Sequence, residues 1–209
     1  MDFPTYGLYA ITDGKQGAPL ITAVAAALEG GVRIVQYRDK TQDTKQRFAD
    51  AAALQALCEE YAVPLIINDD VELAVKVGAA GVHLGQKDTK LAQARAVLGD
   101  KAIIGASCHN SLEFAEIAQR NGATYVAFGT CYPSPSKPLA PRTPLTIFRK
   151  AQQKIKIPIV AIGGITTQNA PEVLAAGASI LAVITGLFNA TDIKQEAIHF
   201  SQLIKEYSL

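Results

Sequence analysis

Val35-Gln36-Tyr37-Arg38-Asp39-Lys40 reads as the end of a buried strand. Side chains alternate across a strand, so Gln36, Arg38 and Lys40 share one side of it. Two cations and an amide are poor core material, because an unpaired buried charge is very costly. They suit a face that meets a large anion such as a diphosphate. A strand end fraying into a solvated charged loop has the same composition, and the stretch alone leaves the two readings level. The other strand ends decide between them.

Seven more β-rich runs accompany 33–38: 8–12, 64–68, 81–84, 102–106, 124–128, 158–162 and 179–184. Between and after them lie stretches with helical spacing of apolar residues, at 20–29, 44–61, 70–77, 89–98, 112–121, 145–155, 170–176 and 193–207. Gly or Asn often follows the helical stretch, as at Gly30-Gly31, Gly78, Gly99, Asn121-Gly122 and Gly177. Strands apolar on both faces, each followed by a helix, imply a parallel α/β sheet. Eight such units fit a closed barrel better than an open doubly wound sheet, and no Gly-x-Gly-x-x-Gly follows the first strand. The expected fold is a single (β/α)8 TIM barrel, one domain over 1–209, with no linker or low-complexity run.

Composition agrees. A chain of 209 residues with 49% hydrophobic content can bury one substantial core. The net charge of +1 argues against a nucleic-acid-binding surface. Cys58, Cys108 and Cys131 are far apart and odd in number, which argues against a disulfide framework or zinc site and for a reducing compartment. No signal peptide is visible at the N-terminus, and no apolar run nears the ~20 residues that span a bilayer. The expectation is a cytoplasmic protein with no membrane or nucleic-acid partner; the sequence does not give the oligomeric state.

In such barrels the site is built at the C-terminal strand ends. Read in order, those ends offer Gln36, Arg38 and Lys40, then Asn68-Asp69-Asp70, Gly85-Gln86-Lys87-Asp88, and Ser107-Cys108-His109. Ser134-Pro135-Ser136-Lys137, Gly163-Gly164 and Thr185-Gly186 follow. One Asp of the 69–70 pair is expected to cap the third helix, with Asp70 the better cap. Asp88 reads equally well as a cap of the fourth helix or as a ligand. Carboxylates on neighbouring strand ends beside Arg38 and Lys40 point to Mg²⁺ bridging to phosphate, with Asp69 and Asp88 as ligands. The Gly pair and Thr185-Gly186 lie where barrels often hold a phosphate through backbone N–H groups. Gly163-Gly164 also reads as a tight turn before Thr166 or Thr167 caps the seventh helix. The segment 130–144 carries five prolines and is long for a compact domain. Its Ser134, Ser136 and Lys137 read as a second anion site or a closing loop, or as polar surface. His83 and His199 read as strand and helix-face residues, leaving His109 as the histidine near the site; Cys108 and Cys131 read as packing residues. Two anion sites on one barrel face suit the joining of two phosphorylated small molecules with loss of pyrophosphate.

The chain resembles the thiamine-phosphate synthase family from Leu8-Tyr9-Ala10-Ile11-Thr12-Asp13 to about Phe188. The motifs that carry the likeness are Gln36-Tyr37-Arg38-Asp39-Lys40, Asn68-Asp69-Asp70, Gly85-Gln86-Lys87-Asp88, Ser134-Pro135-Ser136-Lys137-Pro138 and Ala161-Ile162-Gly163-Gly164-Ile165-Thr166. The resemblance implies a transferase that couples 4-amino-2-methyl-5-(diphosphooxymethyl)pyrimidine with 4-methyl-5-(2-phosphooxyethyl)thiazole. It implies that Gln36, Arg38, Lys40, Asn68, Ser107 and Lys137 hold the pyrimidine diphosphate. Ser134, Ser136, Gly164, Ile184 and Thr185 would hold the thiazole phosphate, and Asp69 and Asp88 the Mg²⁺. The implied reaction is dissociative, with pyrophosphate leaving before the thiazole nitrogen attacks. Ser134 and Ser136 replace the family's usual threonines and Thr185 its usual serine, which keeps each hydroxyl. Lys87 adds a cation beside Asp88, and Thr130-Cys131 replaces a proline-containing pair. Two rivals share the barrel: a thiazole tautomerase that would use His109 as acid/base, and a non-catalytic barrel binding a phosphorylated metabolite. Neither needs the carboxylates present here.

Overall fold

Residues 2–85, 90–133 and 141–207 are described in a computed structural model of the chain. The strands are β1 (Gly7–Ile11), β2 (Ile34–Tyr37), β3 (Leu65–Asn68), β4 (Gly81–Leu84), β5 (Ile103–His109), β6 (Tyr125–Phe128), β7 (Ile159–Ile162) and β8 (Ile180–Val183). They pair in parallel in chain order, and β8 returns to β1 to close the barrel, with Leu8 opposite Leu181. The helices are α1 (Gly17–Glu29), α2 (Thr44–Glu60), α3 (Val71–Val77), α4 (Leu91–Leu98), α5 (Leu112–Arg120), α6 (Thr146–Lys154), α7 (Ala170–Ala175), α8 (Thr185–Phe188) and α9 (Ile193–Tyr207). The expected α/β barrel is therefore present, with one helix more than the sequence pattern shows. The extra α8 is a single turn directly after β8, too short to carry a periodic signal.

Strand periodicity explains the two-sided burial. Leu8, Val35, Leu65, Val82, Ile104, Val126 and Leu181 pack outward, against helix residues such as Leu20, Val24 and Phe200. Tyr9, Ile11, Ile34, Ile66, Ile103, Tyr125, Val160 and Ile180 face the lumen. Phe3 joins this inner core and stacks on Tyr125, with ring centroids 4.1 Å apart. Both faces of every strand are thus buried, which is why the runs read as nearly continuous apolar stretches.

Two element ends differ by three residues from the sequence expectation. Helix α1 starts at Gly17, not at residue 20, because the buried Asp50 of α2 accepts its N–H at 2.9 Å. Strand β5 runs on to His109 with a register shift between Ser107 and His109, so Ser107 lies within the strand. Asp70 stands before α3 as its N-cap, and its carboxylate accepts from Leu73 N–H at 2.9 Å. No helix among the described residues is long and apolar enough to cross a membrane.

The three thiols are buried, and Cys108 and Cys131 are packing groups, as expected. Burial pushes Cys58, Cys108 and Cys131 up from 9.0 to about 12. Below pH 9 both folded and unfolded chains keep these protons. Above it the unfolded chain releases them while the folded chain holds them toward about 12, so the unfolded state gains. Each thiol then costs about 1.4 kcal/mol per pH unit, or roughly 4 kcal/mol for the set by pH 10. Thermal melts should be flat from pH 7 to 8 and then fall by about 10 °C by pH 10. A melting temperature unchanged at pH 10 would contradict the burial of these thiols.

Candidate active site

The C-terminal strand ends carry the polar residues. Gln36, Arg38, Asn68, Ser107, His109 and Ile184 line one cavity at the mouth of the barrel, together with Tyr9, His83 and Gly163. Alternation places Ile34 and Gln36 inward, and Arg38 continues that face one step beyond the strand. Thr12, buried at the end of β1, fixes that step. Its hydroxyl accepts from Arg38 N–H at 2.8 Å and donates to Arg38 O at 3.2 Å.

Lys40 lies outside this cavity. It shares an adjoining open depression with Asn68, Asp69 and Asp70. Neither Arg38 nor Lys40 has a carboxylate partner among the described residues. Asp39, between them, is spent on the loop. Burial pushes its carboxyl up, but hydrogen bonds from Thr41 N–H, Gln16, the Thr41 hydroxyl and Tyr37 outweigh that and hold it below 3.8. Two cations therefore stand at the mouth with no carboxylate partner among the described residues.

The helix cap falls on Asp70, as expected. Asp70 caps α3 and is also paired with Arg47 at 2.7 Å. Asp69 has a left-handed backbone, φ 62°, and its N–H donates to His83 O at 2.9 Å. Asn68 Nδ2 donates to the Asp69 carboxylate, at 2.5 Å. A left-handed aspartate at a strand end is uncommon and turns the carboxylate away from the helix-capping position. His109 shares this feature, with φ 51°.

Gly164, Ile184 and Thr185 line a third recess, which shares Ile162, Gly163 and Ile184 with the first. The glycines do more than turn. A Cβ on Gly164, where φ is 61°, would lie 2.4 Å from Pro133 O. The chain past β6 runs alongside β7, with Cys131 N–H donating to Ile162 O and Tyr132 N–H to Gly163 O, both at 3.0 Å. Neither Thr166 nor Thr167 caps α7. Asn169 occupies that position, donates to Gly164 O at 3.0 Å, and so pins the turn. Thr185 opens α8, whose first N–H groups have no intrahelical partner.

Ser134, Ser136, Lys137 and Asp88 lie outside the described residues. The ends of the proline-rich segment are anchored: Thr143 N–H donates to Thr130 O at 2.8 Å, and its hydroxyl to His109 O at 3.3 Å.

His83 corrects the sequence reading, since it too lines the cavity. Sequence reasoning also missed Tyr9 and Tyr125. Tyr9 and Tyr125 hydroxyls lie 2.7 Å apart, and Gln36 Nε2 donates to Tyr9 at 2.7 Å. His83 Nδ1 meets Tyr125 and its Nε2 meets Ser107, each at 2.9 Å. Burial pushes both phenols well above 10.0 and keeps them neutral. Their signal was phase: each is a polar residue at an inward position of its strand.

The profile of the family described as thiamine monophosphate synthase matches residues 8–187. A thiamine-phosphate synthase from Nitrosococcus oceani is 49% identical over 205 residues, covering 97% of this chain and 94% of that protein. One from Thioalkalivibrio sulfidiphilus is 51% identical over 193 residues, covering 91% and 92%. The solved structure of a thiamine phosphate pyrophosphorylase from Pyrococcus furiosus superposes with a TM-score of 0.88 at 35% identity, covering 97% of each chain. With the same barrel, and a match over most of its length, the chain belongs to the thiamine monophosphate synthase family.

Proposed function

We propose that this chain, as one TIM-barrel domain over 1–209, joins the aminopyrimidine diphosphate to the thiazole phosphate, releasing pyrophosphate and thiamine phosphate. The observation that carries the reading is the contiguity of three recesses at one barrel mouth. A cavity with Gln36, Asn68 and Ser107 opens on one side to Lys40 and Asp69 and on the other to Gly164, Ile184 and Thr185. That order suits a pyrimidine in the cavity, its diphosphate toward Arg38 and Lys40, and a second phosphate over β7 and β8. Lys137 would join the diphosphate site, and Ser134 and Ser136 the thiazole phosphate site.

Asp69 fits a magnesium ion. Its carboxylate is a hard oxygen donor at a strand end, in the depression that Lys40 also lines. Magnesium is commonly held by one or two carboxylates plus substrate oxygens and water. Asp88 is the proposed second carboxylate. Bound there, magnesium would supply positive charge to the diphosphate. Arg38 and Lys40 neutralise the charge that grows on departing pyrophosphate, and the cavity walls hold the pyrimidine in line with the thiazole nitrogen. No side-chain nucleophile is asked for, which agrees with Cys108 and Cys131 being buried and held protonated.

Purified protein given both substrates should form thiamine phosphate, identified by mass, with one pyrophosphate per product. Isomerisation of a thiazole phosphate without pyrophosphate release would instead support the tautomerase with His109. Arg38→Ala should lower kcat/KM by about 10²-fold, through loss of a donor aimed at developing charge. An unchanged kcat/KM would place the diphosphate elsewhere.

A further inference from the structure

Five lumen side chains form one hydrogen-bonded chain across the barrel: Gln36, Tyr9, Tyr125, His83 and Ser107. Its two ends, Gln36 and Ser107, face the same cavity. Its centre is closed off, with Tyr9 1% and Tyr125 0% exposed. Gln36 Nε2 donates to the Tyr9 hydroxyl. The Tyr9 hydrogen then has the Tyr125 oxygen as its acceptor, and the Tyr125 hydrogen has His83 Nδ1. A neutral imidazole with one accepting nitrogen carries its proton on the other. With His83 neutral and accepting at Nδ1, its Nε2 donates to Ser107 Oγ, and the serine hydrogen is directed into the cavity. At the other end, Gln36 Oε1 has no protein partner among the described residues. Reversing one member forces all to reverse, because otherwise a buried hydrogen goes unpaired or two donors face each other. Gln36 and Ser107 must present opposite roles to whatever fills the cavity.

We propose that Tyr9, Tyr125 and His83 are positioning residues that set Gln36 as an acceptor and Ser107 as a donor, so that the cavity selects a heteroaromatic edge carrying an N–H beside a ring-nitrogen lone pair. The inference rests on the reading that this cavity takes the aminopyrimidine, whose 4-amino group and N3 make such an edge. The 4-oxo analogue presents the reverse, a carbonyl beside a ring N–H. A site built to hydrogen-bond its substrate discriminates by the unpaired groups a wrong edge leaves behind.

Two readouts test this. Nitrogen NMR of His83 should show the Nε2–H tautomer in the wild-type protein. Gln36→Glu places an acceptor-only carboxylate against Tyr9 at pH 8 and should reverse the chain, shifting His83 to the Nδ1–H tautomer. In the double variant Gln36→Glu with Tyr125→Phe, the link is cut and the shift should vanish. In kinetics, wild-type protein should prefer the 4-amino over the 4-oxo diphosphate by about 10⁴-fold in kcat/KM, and Tyr125→Phe should narrow this at least about tenfold, chiefly through KM. Tyr125→Phe keeps the ring that stacks on Phe3; should it fail to fold, Tyr9→Phe cuts the chain one link away and reads the same. A His83 tautomer indifferent to Gln36→Glu, or a preference unchanged in the tyrosine variant, would overturn the proposal. Wild-type protein that makes no thiamine phosphate would overturn the functional reading instead, since the NMR arm needs no turnover.

Discussion

Asp69→Asn is expected to lower turnover of the pyrimidine diphosphate by about 10³-fold at saturating Mg²⁺, with the fold unchanged. Asparagine is the informative replacement. Asp69 holds φ at 62°, a conformation that Asn tolerates and Ala resists, so the variant removes charge without adding backbone strain. The Asn68 contact can persist through the new amide oxygen, and the N–H bond to His83 O is untouched. What goes is a negative oxygen in the depression that Lys40 also lines. Asp70→Asn is the control. Its carboxylate caps α3 and pairs with Arg47; the amide oxygen keeps the cap while the ion pair is lost, so the change should show in stability, by about 1 kcal/mol or less, more than in turnover. Equal turnover losses at 69 and 70 would overturn the division of roles; full activity in Asp69→Asn would remove the metal assignment.

Gly81→Ala is expected to be the most destabilising methyl in the barrel. Gly81 pairs with Ile103 across β4 and β5, and a Cβ there would lie 1.7 Å from Ile103 O and 2.6 Å from its carbonyl carbon. Both are backbone atoms of a closed sheet, so no side chain can swing aside. Overpacking of this kind costs about 3 kcal/mol or more, which lowers the melting temperature by about 10 °C. Gly78→Ala makes the comparison, since its Cβ meets nothing within 4 Å and only its φ of 68° resists, a penalty of about 1 kcal/mol. A melting temperature for Gly81→Ala within a degree or two of wild type would mean that β4 and β5 do not approach as described.

The barrel was legible because its strands are buried on both faces and its helices repeat regularly. Where the reading slipped, the cause was tertiary. Nothing near Gly17 announces that Asp50, thirty-three residues on, will cap it. The one turn of α8 is shorter than any periodic signal. The mouth residues were legible because Gln36, Arg38 and Asn68 are polar at the ends of apolar strands. The lumen chain was not, because Tyr9 and Tyr125 look like ordinary strand aromatics until the barrel closes and brings their hydroxyls to 2.7 Å. The same closure explains His83, read as a strand residue, which it is, yet aimed inward at Ser107.

On the proposed reading, the barrel mouth releases pyrophosphate when two phosphorylated substrates meet there with metal present. Pyrophosphate release, followed with each substrate alone and both together, in Mg²⁺ and in EDTA, tests it most directly. Release that requires both substrates and Mg²⁺ is the expected result. No release in any condition, or full release in EDTA, would contradict it.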